Sequence, residues 1–397
     1  MKQPITIVLT GGGSGGHIIP LLSLAHELKA TNADCRVVYI GLRGDLLAGL
    51  RQQYDIFDRV YYISSGKFRR YHGESLVSQL LNVKTLALNV RDFFKVLVGI
   101  WQSRKLLRRI KPDVVFSKGG FVVVPVGLAA RLQKIPIITH DSDAVPGLAN
   151  RIVGRWALVH ATGMPAKYYP YSPETIHYVG VPASRQLKPV TTQDQIEFKR
   201  KIGIAADEQV LLVAGGGLGS QTLNNLVVQI APELLDRHRS LHIIHITGDA
   251  HQKATAERYQ KILSSEQQKR LIILGFSNQF SIYSGAADLV IARAGATTLA
   301  ELAVQRKALI IIPSPFLTAG HQLENAKILE SLGAAKVLPN DVGQQAALKT
   351  IEDLLANSKK RRLMAQKLGS TARPEALQKL AEIIWEVAKS QAKGNSH

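Results

Sequence analysis

A chain of 397 residues, 46% of them hydrophobic, is long enough for two cores and too apolar to be a disordered protein. Its single cysteine, Cys35, excludes an internal disulfide framework and a cysteine-rich metal site, which fits a reducing compartment. The formal charge of +20 calls for an anionic partner: nucleic acid, an anionic membrane surface or phosphorylated substrates.

The first apolar run, residues 5–9, is too short for a signal-peptide core, and no stretch reaches the roughly 18 apolar residues of a spanning helix. A soluble or peripheral cytoplasmic protein is expected. Residues 5–10 read as a strand, followed by the turn Gly11-Gly12-Gly13-Ser14-Gly15-Gly16-His17 and a helix over 21–29. Further strands are predicted at 35–41, 60–63, 114–117, 135–139 and 158–161, with a long helical region over 75–110. The alternation predicts an α/β fold with a doubly wound parallel sheet.

The pattern then restarts. A strand at 209–214 leads into a second glycine turn, Gly215-Gly216-Gly217-Leu218-Gly219-Ser220, and a helix over 223–235. Strands at 241–247, 271–274, 289–292 and 308–312 follow. Two Rossmann-like domains are therefore expected, 1–185 and 186–371, joined near 182–192. A C-terminal amphipathic helix at 372–391 is placed back on the first domain, ahead of a frayed tail from 392. Two such domains facing each other would bind ligands in a cleft at their strand carboxyl ends.

A glycine-rich strand-to-helix turn lets backbone approach a ligand and offers unpaired N–H groups, although it also serves as a plain tight turn. The second strand ends in Tyr39-Ile40-Gly41 with no acidic residue at a ribose position, which disfavours a nicotinamide enzyme. His17, at the lip of the turn, is a candidate functional histidine.

Residues 11–20, GGGSGGHIIP, resemble the first glycine loop of the MurG family of bacterial transferases. The similarity continues through Lys118-Gly119-Gly120-Phe121 and from His140 through Pro146-Gly147-Leu148-Ala149-Asn150. It resumes at residues 215–220, at Arg293-Ala294-Gly295-Ala296-Thr297-Thr298 with Glu301, and at His321-Gln322 with Asn325. These islands keep the family's order from Gly11 to about Pro339. The resemblance implies a GT-B fold and inverting transfer of N-acetylglucosamine from its UDP sugar to the C4 hydroxyl of undecaprenyl-pyrophosphoryl-MurNAc-pentapeptide. It also implies no cofactor and no essential bound metal, a peripheral place on the cytoplasmic face of the plasma membrane, and room for other cell-wall synthesis proteins as partners.

The resemblance further implies a donor site in the second domain, made from Arg185, Gly217, Gly219, Ser220, Phe276, Ser277, Gly295, Ala296, Thr297, Thr298, Glu301, His321, Gln322 and Asn325. The residue chemistry is compatible with it. Residues 295–298 can open a helix toward a diphosphate, with the threonine hydroxyls adding donors. Glu301, one turn on, suits ribose hydroxyls, and the amides of Gln322 and Asn325 suit sugar hydroxyls. Phe276 and Ser277 fall in the segment that contacts uracil in the family, though Phe276 is equally readable as core.

The acceptor would meet Gly13, Ser14, Gly15, Gly16, Phe121, Asp143 and Asn150, with His17 or Asp141 as the base. His17 is favoured for its ordinary pKa. Several positions depart from the family pattern. Phe121 replaces a tyrosine, Asp141 a glutamate, Asp143 an asparagine, and Gly217-Leu218 a Ser-Gln pair. Val181 replaces an asparagine, and the expected arginine comes one place late, at Arg185.

The charge excess is concentrated. Eleven Lys and Arg fall between Lys67 and Lys111 against Glu74 and Asp92 alone. Within this segment Leu80, Val83, Ala87, Val90, Phe94, Leu97 and Trp101 recur at helical spacing and read first as a core stripe. Phe93, Val96, Val98 and Ile100 are surplus apolar surface, and Phe68-Arg69-Arg70-Tyr71 reads as an exposed aromatic–basic loop. An apolar patch rimmed by cations fits an anionic membrane surface. A nucleic-acid-binding protein would also suit the charge, but no reading module is present and aromatic content is only 6%. Enzyme rivals are a transferase acting on diacylglycerol and an epimerase of the same sugar nucleotide.

Overall fold

A computed structural model describes residues 4–12, 15–42, 55–67, 83–183, 187–315 and 320–394, with side chains excepted at 15–17, 83–86 and 393–394. The chain divides into two compact units. One comprises Met1–Ala183 with Glu375–His397, the other Ser184–Pro374.

The first unit is built on a seven-stranded sheet in the order β3-β2-β1-β4-β5-β6-β7. Its strands are β1 (Thr6–Thr10), β2 (Arg36–Leu42), β3 (Arg59–Ile63), β4 (Val114–Ser117), β5 (Ile137–Asp141), β6 (Val159–Thr162) and β7 (Ile176–Tyr178). Every pairing is parallel. The apolar runs at β1, β2, β4 and β5 are buried on both faces, as a sheet covered by helices requires.

On one face, α1 (Gly15–Thr31) and the C-terminal helix pack together through Leu21, Leu24 and Leu28 against Leu377, Leu380 and Ile384. On the other lie α2 (Val83–Ile110), α3 (Val123–Leu132) and α4 (Leu148–Val153). Helix α1 starts six residues before the expected start, because burial of Ile18, Leu21 and Leu22 outweighs the poor helix propensity of Gly15, Gly16 and Pro20.

The second unit repeats the scheme with six parallel strands in the order β10-β9-β8-β11-β12-β13. These are β8 (Gln209–Ala214), β9 (Leu241–Ile246), β10 (Leu271–Leu274), β11 (Leu289–Ala292), β12 (Leu309–Ile311) and β13 (Lys336–Val337). Its helices are α5 (Thr192–Lys201), α6 (Gln221–Arg237), α7 (Gln252–Ile262), α8 (Ser265–Gln268), α9 (Phe280–Ala286), α10 (Ala296–Gln305), α11 (His321–Ser331), α12 (Gln344–Ala356) and α13 (Ser358–Ser370). Separate apolar clusters cover the two sheet faces. The last helix, α14 (Ala376–Gly394), returns to the first unit and continues into the segment expected to fray.

In each unit the chain winds outward from a central strand and then returns to that strand's other side. The reversal falls between β1 and β4 in the first unit and between β8 and β11 in the second. Loops leaving neighbouring strands diverge at such a point and leave a crevice at the carboxyl ends, where doubly wound folds bind ligands. Topology alone therefore directs attention to residues 11–17 and 118–121 in one unit, and to 215–220 and 293–298 in the other.

One expectation is overturned. In α2 the stripe read as core faces outward: Val90, Phe94, Leu97 and Trp101 are 45–66% exposed, together with Phe93 and Val98. The helix instead buries Asp92, Val96, Gly99, Ser103 and Leu107. Close approach decides this. A Cβ at residue 99 would lie 2.0 Å from the Ser64 carbonyl oxygen and 3.1 Å from Pro125 Cβ, so the helix docks by its slimmest face. Hydrophobic periodicity located a stripe and could not reveal which stripe fits.

Candidate active site

In the first unit the two loops at the switch point touch backbone to backbone. Gly120 has φ +85°, and a Cβ there would lie 2.0 Å from the Gly12 carbonyl oxygen. Gly11 is pinned by Tyr39, whose hydroxyl donates to its carbonyl at 2.7 Å. Gly13 and Ser14 lie outside the described residues, while the backbone of Gly15, Gly16 and His17 opens α1. Phe121 is partly exposed, and its carbonyl accepts from Ser65 Oγ at 2.8 Å.

Beside these loops, β5 ends in a cluster of buried polar groups. This strand runs two residues past its expected end at 139, and the polar His140 and Asp141 are both buried within it. Asp141 Oδ1 accepts from Asn150 Nδ2 at 2.9 Å and its Oδ2 accepts from the Tyr171 hydroxyl at 2.9 Å. Burial pushes its pKa up to about 6, against the hydrogen bonds from Asn150 and Tyr171 and the charge of Lys118. Lys118 is itself buried, donates to Ser142 Oγ at 2.6 Å, and is lowered by burial to about 8.

Asn150 spends its whole amide inside the unit. It donates to His140 O at 3.0 Å as well as to Asp141, and accepts from Ser117 Oγ at 2.8 Å. It therefore braces Asp141 from behind. His140 sends Nε2 to Gly180 O at 2.9 Å, which fixes that nitrogen as the protonated one, and burial holds its pKa well below the usual value. Asp143 is partly exposed, and its carbonyl accepts from the Tyr169 hydroxyl at 2.9 Å. Lys118, Tyr169 and Tyr171 were not singled out from sequence as site residues. Nothing in the spacing of Tyr171 connects it with a strand end some 30 residues earlier.

In the second unit the candidate donor residues follow successive parallel strands and so share one edge of the sheet. Residues 215–220 follow β8, Phe276 and Ser277 follow β10, residues 293–301 follow β11, and α11 stands beyond β12. Gly219 has φ +74° and presses on Thr247 O, where a Cβ would lie 2.0 Å away. Cβ atoms at Gly217 and Gly295, by contrast, would meet nothing within 4 Å, so the backbone there is open to a ligand. Ser220 caps α6, and its oxygen also accepts from Arg293 Nε at 2.9 Å and Nη2 at 2.6 Å.

Helix α10 begins at Gly295 with no side-chain cap, which leaves the first N–H groups of Ala296, Thr297 and Thr298 for an anion. Glu301, one turn on, has no hydrogen-bond partner among the described residues, and burial pushes its carboxyl up to about 7. Gln322 Oε1 accepts from Ser314 N at 2.9 Å, and Asn325 Nδ2 donates to Ala294 O at 3.0 Å, so Asn325 supports the 293–298 turn. His321 is the first residue of α11 and partly exposed. Phe276 is 54% exposed, which excludes the core reading. Arg185 lies outside the described residues. Among the described residues no three His, Cys, Asp or Glu side chains come together as metal ligands.

Two doubly wound units, each with a glycine turn at its switch point, and in the second unit an uncapped helix N-terminus after β11, have the GT-B architecture of glycosyltransferases. The chain matches the glycosyltransferase family 28 N-terminal domain over residues 7–161 and the family 28 C-terminal domain over residues 210–381. It belongs to glycosyltransferase family 28 and, within it, to the MurG family.

One relative, from Natranaerobius thermophilus, is named UDP-N-acetylglucosamine–N-acetylmuramyl-(pentapeptide) pyrophosphoryl-undecaprenol N-acetylglucosamine transferase. It is 33% identical over 88% of this chain and 90% of its own length. A Bacillus anthracis transferase of the same name, numbered 1, is 30% identical over 96% of this chain and 99% of its own. Among solved structures, MurG of Acinetobacter baumannii superposes with a TM-score of 0.72 at 27% identity, covering 96% of this chain and all of that one. The UDP-bound S. aureus MnaA shares the fold at 14% identity and a TM-score of 0.64, over 95% of this chain and 94% of its own.

Proposed function

We propose that this chain transfers N-acetylglucosamine from UDP-N-acetylglucosamine, with inversion, to the C4 hydroxyl of undecaprenyl-pyrophosphoryl-MurNAc-pentapeptide. The observation that carries the reading is near-full-length identity of 30–33% to transferases named for that reaction. The second unit holds the donor. Its α10 N-terminus and the Thr297 and Thr298 hydroxyls receive the diphosphate, Glu301 accepts the ribose hydroxyls, Phe276 covers the uracil, and Gln322 meets the sugar. Departure of UDP needs stabilised negative charge, and preorganised N–H and O–H donors supply it without reorganisation.

The first unit holds the acceptor, with residues 13–16, Phe121 and Asp143 around its pyrophosphate and sugar. Two groups compete for the C4 hydroxyl proton, His17 and Asp141. The geometry supports Asp141. It is fixed on both oxygens, and a carboxyl near 6 is ionised at neutral pH yet basic enough to take a proton. Asn150 acts on the acceptor through Asp141.

The polyprenyl acceptor stays in a bilayer, so the enzyme must come to it. Among the described residues no helix is long and apolar enough to cross a membrane. Helix α2 supplies a different means. Its exposed face carries Val90, Phe93, Phe94, Leu97, Val98 and Trp101 beside the exposed cations Arg91, Lys95, Arg104, Lys105 and Arg108. Such a face fits peripheral attachment to the anionic cytoplasmic leaflet. The loop at 68–71 that was expected to assist lies outside the described residues.

The test is an assay with radiolabelled UDP-N-acetylglucosamine and a short-chain muramoyl-pyrophosphate lipid, with product extracted into organic solvent. Label appearing only with the muramoyl lipid is expected. Label on diacylglycerol, or a second UDP sugar formed without any acceptor, would replace this reading by one of its enzyme rivals.

A further inference from the structure

Asp141 is held by a group that a plain acceptor loop would not need. The Tyr171 hydroxyl donates to Asp141 Oδ2 at 2.9 Å. The Tyr171 ring is in turn stacked on the His160 ring, with centroids 3.6 Å apart and planes 4° from parallel. His160 is anchored on the neighbouring strand, with Nδ1 hydrogen-bonded to Thr139 Oγ1 at 2.8 Å. Gly154 makes room for the stack, since a Cβ there would lie 2.9 Å from His160 Cε1 and 3.3 Å from Tyr171 Cε1. Tyr169 runs nearly parallel to Tyr171 at 6.2 Å and ties the Asp143 carbonyl to the same assembly.

We infer that Tyr171 is a positioning residue, fixing the second oxygen of Asp141 so that its carboxylate faces the acceptor hydroxyl in one orientation. The inference rests on the reading of Asp141 as the base. Asn150 alone would fix Oδ1 and leave the carboxylate free to rotate about its own axis. A donor on Oδ2 removes that rotation, and a hydrogen bond to the charged form favours ionisation. The aspartate side chain is short, so it cannot swing far and needs its partner brought to it. The tyrosine is delivered on a rigid stack rather than on a mobile side chain, which is how a supporting shell holds a reacting group.

The groups around Asp141 and Tyr171 bear on any pH dependence. Lys118 favours the carboxylate and Asp143 opposes it. His160, lowered to about 4 by burial, is neutral, as is buried His140. Tyr169 and Tyr171 are both pushed upward, by burial first and then by the charge of Asp141, so each stays a protonated donor across the working range. Removing the Tyr171 hydroxyl therefore changes one hydrogen bond and no charge.

Tyr171→Phe tests the inference, because phenylalanine keeps the ring on His160. Two titrations are compared in the full-length protein. The first follows Asp141 without substrate, as the pH-dependent stability difference between each protein and its Asp141→Asn counterpart. Its midpoint should move upward by about one pH unit in Tyr171→Phe. The second is the pH profile of kcat at saturating donor. Its acid limb should move by the same amount, so that kcat falls about tenfold below that limb and recovers above about pH 8, with KM for the donor unchanged. An unmoved Asp141 titration overturns the role of Tyr171. A moved titration with an unmoved acid limb overturns instead the reading of Asp141 as the base, and the catalytic role of Tyr171 with it.

Discussion

Arg293 places both Nε and Nη2 on the single hydroxyl oxygen of Ser220, at 2.9 and 2.6 Å, and so locks the loop after β8 to the loop after β11. Its Nη1 completes the bracket on Ile312 O and Asn340 Oδ1, each at 2.7 Å, so one guanidinium joins four strand ends. The Ser220 oxygen, already accepting from Arg293 and from Leu223 N, has only its own proton left to offer. That is the polarity a phosphate oxygen requires.

Ser220→Ala should therefore weaken both stability and donor binding. Loss of the helix cap costs about 1 kcal/mol, and the buried guanidinium left short of an acceptor costs about 1–3 kcal/mol more. UDP affinity should drop about tenfold with the lost O–H donor. Calorimetric unfolding and UDP titration measure the two separately. Unchanged affinity in a destabilised protein would reduce Ser220 to a cap.

With Glu301 on the donor ribose, as proposed, donor affinity should depend on pH. Burial holds its carboxyl near 7, and only the ionised form accepts from two ribose hydroxyls at once. Between pH 6 and pH 8 the ionised fraction rises about tenfold, so UDP should bind about tenfold more tightly at the upper end. Glu301→Gln should lie lower and be flat across that range. A wild-type profile equally flat would remove Glu301 from the ribose.

How far the sequence carried these sites depends on whether the signal is local. Glycine turns and buried apolar strands were legible because backbone permissiveness and periodicity act over a few residues, and the 293–301 segment was legible as a contiguous run that resembles the family's. The short edge strands β7 and β13 were missed because three and two residues give no period to read. The end of β5 was missed because His140 and Asp141 look like loop residues until their buried partners are known. Asn150, expected to touch acceptor, proves to spend its amide on His140, Asp141 and Ser117, and no spacing in the chain announces that convergence. The outward face of α2 failed for a different reason. The helix carries two stripes, and the more apolar one lost because Gly99 permits the closer approach.

That outward face should bind vesicles. Phe94 and Trp101 are 59% and 66% exposed, so changing both to serine should leave stability nearly untouched while reducing binding to anionic vesicles severalfold. Each neutralisation at Lys105 or Arg108 should cost about 1 kcal/mol of binding at low salt, and added salt should erase the difference. Vesicle sedimentation against ionic strength gives the answer. Binding that ignores both the apolar and the charge changes would place membrane contact elsewhere.

Asp141→Asn should move activity and stability in opposite directions. Burial raises the Asp141 pKa from its usual 3.8 to about 6, so the folded state holds the proton more tightly than the unfolded chain does. Ionising it in the folded protein therefore costs about 3 kcal/mol, in full above pH 6 and not at all below the unfolded value. Asparagine removes that cost and can keep both contacts, accepting from Asn150 and donating to the Tyr171 oxygen. The variant should unfold at a higher temperature than wild type at pH 8, with the gain shrinking as pH falls through 6 and gone near pH 4. Turnover should fall about 100-fold or more, as for loss of a general base, with UDP affinity intact. His17→Ala, measured alongside, separates the two candidates. If it abolishes turnover while Asp141→Asn remains active, the proton goes to His17, and the strain stored at Asp141 has another purpose.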